Sequence, residues 1–328
     1  MCRSWTAIGT VAASLMTATV AQAASVTRPG EQVGLSGGYP LPEGVVIAVD
    51  TFSVGRADRP NASDVIGNIP FLVWASPYKI LGARIQPIVS QPTGFIHTRN
   101  PAPLPDRNVS FLYNPFIGSV FAWDLGRGFG VSYLLGAYLP FGDRGSLGLG
   151  FAGTPIAPQI ASATIRQSFT ATYVGDGSYN ITAALTYGLT ADPRARFGGL
   201  VGQALGPQAQ ADSLNLDLTM VKKFGKFEIG PIAYMSTDLP VNRGDPLYRT
   251  YQRAGQIAVG GLVGYNFGRF SLQAYVARDV VARDTLTRAG LRQRNEETRG
   301  WFRLILPLYA PGAGQAVAPP PGPLVTKS

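Results

Sequence analysis

The chain has 328 residues, 45% of them hydrophobic and only 14% charged, with 40 Gly and a formal net charge of +9. Where about 25% charge is usual, so low a fraction argues against an ordinary soluble α/β protein, and abundant Gly, Tyr, Thr and Ser suit strands and tight turns. One Cys (Cys2) and one His (His97) leave no disulfide framework, no multi-His metal site and little basis for thiol or Ser/His/Asp catalysis.

Residues 1–23 read as a signal peptide. Arg3 supplies a positive start, Ala7 to Val20 an apolar stretch, and Ala21-Gln22-Ala23 a small-residue cleavage site. Cleavage there removes Cys2. No later stretch reaches the roughly 18 apolar residues of a membrane helix. Residues 24–43, with three Pro and four Gly, read as an extended periplasmic lead-in.

Twelve segments with two-residue alternation follow, near 44–54, 66–76, 79–89, 112–125, 127–139, 163–174, 179–190, 213–224, 226–237, 255–267, 269–280 and 299–309. Leu214, Leu216, Leu218 and Met220 share one face of theirs, and Asn215, Asp217 and Thr219 the other. Each segment is long enough for the roughly 9–11 residues that a tilted membrane-spanning strand needs. Alternation alone also fits a soluble sandwich; the connections separate the two. Short turns at Pro77-Tyr78, Gly126-Arg127-Gly128, Gly175-Asp176-Gly177-Ser178, Gly225 and Gly268 alternate strictly with long connections near 55–65, 90–111, 140–162, 191–212, 238–254 and 281–298. That predicts an all-β, antiparallel transmembrane β-barrel of about twelve strands over residues 44–309, with short periplasmic turns and long extracellular loops. It places the chain in the outer membrane of a Gram-negative bacterium.

Aromatics cluster beside the short turns (Tyr78, Trp123, Phe129, Tyr173, Phe224, Phe227, Phe267), as at a membrane interface. Residues 310–328 read as a flexible Pro/Gly/Ala-rich tail. The basic run Arg288 to Arg299 is a solvated loop or a contact with lipopolysaccharide. Gly148 to Gly153 matches G-x-G-x-x-G, but Pro155 and Pro158 deny it the helix that a dinucleotide site requires. His97 lies in a Pro-rich connection and reads as solvated. Asn-x-Ser/Thr matches at Asn61, Asn108 and Asn180 carry no meaning in a bacterial barrel.

What remains is the polar face. Alternation assigns to the lumen Asp50, Arg84, Gln86, Arg166, Asn180, Asp217, Glu228, Tyr234, Gln273, Tyr275, Asp279, Trp301 and Arg303, with Ser168, Thr170 and Thr182 among them. Two readings stay open. The arginines pair with the wall's own acids (Asp50, Asp217, Glu228 or Asp279) and close the interior, or rings of charge line a polar pore. Neither involves a catalytic residue, metal or cofactor.

Several stretches stand out together: Gly44 to Asp50 as first strand, Gly126-Arg127-Gly128-Phe129-Gly130 leading to Ala137-Tyr138-Leu139-Pro140-Phe141-Gly142, Thr172 to Tyr179, Glu228-Ile229-Gly230-Pro231 and Gly264-Tyr265-Asn266-Phe267. On these residues the chain resembles the outer-membrane barrel family catalogued under the MetA pathway of phenol degradation. The resemblance implies a channel or facilitator for passive uptake of small compounds, aromatic or hydrophobic ones among them. The alternative is a structural or adhesive barrel with a plugged interior and working surface loops. Expected partners are outer-membrane lipid, lipopolysaccharide and a small solute, with no nucleic acid.

Overall fold

Twelve long strands form where the alternation runs: β1 (Val46–Ala57), β2 (Ser63–Trp74), β3 (Ala83–Ser90), β4 (Phe116–Gly126), β5 (Phe129–Tyr138), β6 (Thr164–Tyr173), β7 (Tyr179–Thr190), β8 (Ser213–Phe224), β9 (Phe227–Asp238), β10 (Gly255–Asn266), β11 (Ser271–Ala282) and β12 (Glu297–Tyr309). The computed structural model describes residues 27–58, 62–99, 106–139, 163–191, 194–195, 208–209, 211–245, 248, 251–286 and 292–311. Each long strand pairs antiparallel with its neighbours in sequence order, and β12 returns to β1, from Val46↔Tyr309 to Ala57↔Glu297. The twelve long strands therefore close into a barrel, the arrangement that pairs their backbone groups where lipid would leave them unsatisfied.

The faces are inverted relative to a soluble protein. Along β8, Leu218 and Met220 are 40% and 62% exposed, while Asn215, Asp217 and Thr219 are buried inside. At the short-turn rim, rings gather as an interfacial belt: Phe129 lies 4.4 Å from Tyr173, Phe227 4.6 Å from Tyr265, and Phe267 stacks on Phe270 at 4.7 Å.

Three expectations change. The turn between β2 and β3 is not at Pro77-Tyr78 but at Leu81-Gly82, both with positive φ (48° and 81°), because Lys79–Ile80 pairs back onto Ala83 and Arg84. The connection 90–111 is not simply a loop. Thr93–Thr98 and Arg107–Leu112 form a hairpin that continues the sheet beside β2 (Asn68↔Thr93 to Ser63↔Thr98), above a short β2–β3 ladder of Phe71↔Ser90, Leu72↔Val89 and Val73↔Ile88. His97 sits on this hairpin, Nδ1 2.8 Å from Asn108 Oδ1 and Nε2 3.5 Å from Asp106.

The third change concerns residues 27–41, expected as a periplasmic lead-in. They run inside the barrel. Four backbone bonds coil the segment into successive turns (Arg28 O to Glu31 N, Gly30 O to Val33 N, Gln32 O to Leu35 N, Ser36 O to Tyr39 N), and Val33 is fully buried among Tyr234, Leu262, Tyr275 and Trp301 of the wall. The signal peptide, the Gly148–Gly153 stretch and the tail beyond residue 311 lie outside the described residues.

Candidate functional site: the barrel lumen

The N-terminal segment enters past the short-turn rim and climbs toward the long-loop end. Near the rim, Tyr39 donates to Asp124 (3.1 Å) and the Leu41 N–H to Gln86 (3.2 Å). Further in, Ser132 donates to the Gly37 carbonyl (2.8 Å), and the Gly38 N–H to Thr172 (3.0 Å). Deepest, Asn215 donates to the Thr27 carbonyl (3.0 Å) and Arg28 to the Val65 carbonyl (2.7 Å).

Most of the lumen residues assigned from alternation hold this segment. Asp217 accepts the Gly30 and Gln32 N–H groups, both at 2.9 Å. Asn180 and Gln273 donate to the Gly34 carbonyl at 2.9 and 3.0 Å, and Tyr275 donates to the Gly30 carbonyl at 2.8 Å. Arg303, with no exposed surface, spreads its guanidinium over the Glu31 carbonyl (2.5 Å), the Val33 carbonyl, Gln273 and Thr51. Arg166 pairs with Glu31 at 2.8 Å and donates to Tyr138 at 3.1 Å. Tyr234 and Trp301 are buried against the segment, with the Trp301 ring stacked on Tyr275 at 5.4 Å. Ser168 accepts from Gln32 (3.1 Å), and Thr170 and Thr182 are also buried inside.

Three assigned residues sit apart. Asp279 accepts the Glu297 N–H (3.0 Å) near the long-loop end. Glu228 accepts from Gln273 (2.7 Å) lower down, and Arg84 meets Glu43 at the rim (3.2 Å). Asp50 is a correction: it faces outward, exposed, with Phe52 and Val54, while Val49, Thr51 and Ser53 point in. The near-continuous apolar run before it leaves the register of β1 ambiguous, and its one carboxylate is no guide. Its hydrogen bond is to Asn68, 2.5 Å away.

The assigned arginines Arg84, Arg166 and Arg303 thus do not pair with Asp50, Asp217, Glu228 or Asp279: their partners are Glu43, Glu31 and the Glu31 and Val33 carbonyls, while Arg299, which alternation did not single out, pairs with Glu297 on its own strand and donates to the Pro29 carbonyl. The available signal was the glycine spacing: Gly30 and Gly34 adopt φ of 87° and 84°, and a Cβ on Gly34 would lie 2.7 Å from both Gln273 and Leu262.

The segment's polar contacts fall mainly on β6–β12. Beside it, toward β1–β5, lies a cavity of about 370 Å³ walled by Val49, Ile69, Phe71, Ile88, Val120 and Leu134. Phe116 and Tyr138 close its deep end, with the Arg166 guanidinium 5.6 Å from the Phe116 ring. The cavity extends to the short-turn rim at Lys223, Lys226 and Asn266. Its β1–β5 side is mainly apolar, with Gln86, Ser90 and Ser132 among the carbon, and its opposite side is polar, with Glu31, Arg166, Asn180 and Gln273; apolar surface with convergent polar groups is the make-up of a small-molecule site.

A family model described as "Putative MetA-pathway of phenol degradation" matches residues 48–294. The COG4313 outer membrane channel from Pseudomonas putida F1 is similar in structure, with a TM-score of 0.56 and 13% identity over 86% of this chain and 99% of that one. The translocator domain of the autotransporter NalP from Neisseria meningitidis aligns with a TM-score of 0.47 and 10% identity, over 80% of this chain and 87% of that one. At these identities the first likeness concerns the fold. No curated protein matches the chain.

Proposed function

The chain belongs to the phenol-degradation MetA-pathway family, and on that premise we propose that it is an outer-membrane channel for passive uptake of small aromatic or hydrophobic compounds. The 370 Å³ cavity carries the reading. It is large enough for a single-ring solute. Apolar side chains line most of its β1–β5 side, and the polar groups opposite, Arg166, Asn180 and Gln273 among them, can orient the polar end of such a solute. The mouth at Lys223 and Lys226 favours solutes carrying a negative or polarisable group. No residue is assigned a catalytic role.

Purified protein in liposomes is expected to admit a small phenol or benzoate faster than lipid alone. Phe71→Asp, which puts a charge in the apolar wall, should slow that uptake severalfold and leave the barrel folded. Uptake no faster than through protein-free liposomes would sink the reading.

A second reading has its own observation. The buried segment 27–41 fills the polar half of the lumen, as a structural or adhesive barrel with a closed interior would have it. Uptake that stays at background even after deletion of residues 27–38 would favour that alternative.

A further inference from the structure

The outward wall carries a second concavity, unrelated to the lumen. Strand register places Val131, Ala171, Ala183, Leu218, Ala233 and Val259 at one level across β5–β10. The level nearer the long loops carries larger groups (Phe169, Leu185, Met235), and so does the level nearer the short turns (Phe129, Ile181, Met220). Three alanines between bulkier rows leave a furrow of about 670 Å³, bordered at its rim end by Leu125, Phe129 and Tyr173. The furrow is on the face that meets hydrocarbon, so its occupant is drawn from the membrane.

Its rim holds a cation. Lys222 lies one outward level beyond Met220, paired in register with Tyr179. Its ammonium sits 5.6 Å from the Tyr179 ring and 5.2 Å from the Phe224 ring. Two aromatic faces steady a flexible side chain at headgroup depth. Lys226 and Arg269, on neighbouring short turns, add charge of the same sign along this rim, and Asp176 is the acid nearest in sequence to Tyr179.

We propose that this furrow and Lys222 together form a binding site for an anionic phospholipid of the leaflet at the short-turn rim, its acyl chain lying across Ala183 and Ala233 and its phosphate meeting the Lys222 ammonium. The two parts are separable. The furrow retains any acyl chain; the lysine selects among headgroups.

Native mass spectrometry of the full-length mature chain in mild detergent tests it, with phosphatidylglycerol, phosphatidylcholine and inorganic phosphate as probes. The unaltered protein should retain phosphatidylglycerol about fivefold better than phosphatidylcholine, the worth of one interfacial lysine. Inorganic phosphate should not displace the lipid, since it brings no chain. Lys222→Gln should abolish the headgroup preference while both lipids still bind. Ala183→Leu with Ala233→Leu, filling the furrow, should cut retention of both lipids severalfold, because the acyl chain loses its packing against the two alanines. Equal retention of the two lipids by the unaltered protein overturns the proposal, whether or not the filled variant folds. So does unchanged retention by a folded filled variant, and so does displacement by free phosphate.

Discussion

Arg303 is the residue on which the interior depends most. Its guanidinium serves two carbonyls of the N-terminal segment and three wall side chains, Thr51, Gln273 and Tyr275, with no access to water. Arg303→Met would strand those carbonyls in a buried setting. We expect a loss of about 2–4 kcal/mol, read as a lower urea midpoint for barrel unfolding. Arg303→Lys should recover little, because one ammonium cannot reproduce the planar fork. Gly34 is the segment's counterpart: Gly34→Val combines a positive φ with a clash against Gln273 and Leu262, and should cost about 2–3 kcal/mol of segment docking. Faster amide exchange over residues 28–38, with the strands still protected, would register it. Asp50 works in the opposite direction. A carboxylate facing hydrocarbon is unfavourable even with Asn68 beside it, so Asp50→Leu should stabilise the barrel by about 1–2 kcal/mol in a lipid-bilayer unfolding titration. A destabilised variant would contradict the outward placement.

At the scale of elements, the strands were legible because each repeats the same two-residue choice over ten or so positions, and one exception cannot hide the rest. Strands β7 and β8 run over the expected 179–190 and 213–224, where Leu, Met and Ile alternate with Asn, Asp and Thr over most of their length, Val221 and Lys222 reversing the pattern only near the short turn. β1 fails at Asp50 because Val45 to Val49 offers no alternation to count from. The hairpin at 93–98 and 107–112 was hidden by Pro92 and Pro115, which read as loop signals yet only bend the chain out of and back into the sheet. The lead-in was the hardest. Its side chains are mostly small or polar with no period, and its place is set by backbone groups meeting Asp217, Asn180 and Arg303 across 146 to 272 residues of sequence. Local patterning holds little trace of such contacts beyond the spacing of Gly30 and Gly34. Deleting residues 27–38 should leave the barrel closed, since β12–β1 pairing lies outside the segment. Conductance across a planar bilayer should rise severalfold, and unchanged conductance would mean that the segment does not limit passage.

At the scale of the whole molecule, the barrel divides its roles by face and by height. Apart from Asp50 and its partner Asn68, the outward wall of β1, β2 and β12 is mainly apolar between Trp74 and Tyr309 at one rim and Arg56 and Arg278 at the other. The lumen is polar where it grips its own N-terminal segment and apolar where the cavity lies. The sheet's last seam joins β1 to β12, and the segment that fills the lumen is the stretch of chain immediately before β1. A finished barrel would have to admit that stretch through the narrow mouth at the short turns. An open sheet of β6–β12 would already present Asn180, Asp217, Gln273 and Arg303 to it. Docking on the open sheet would therefore hold β1 near β12 before the seam closes, without being needed for the seam itself, so that one continuous stretch of chain both fills the interior and completes the wall.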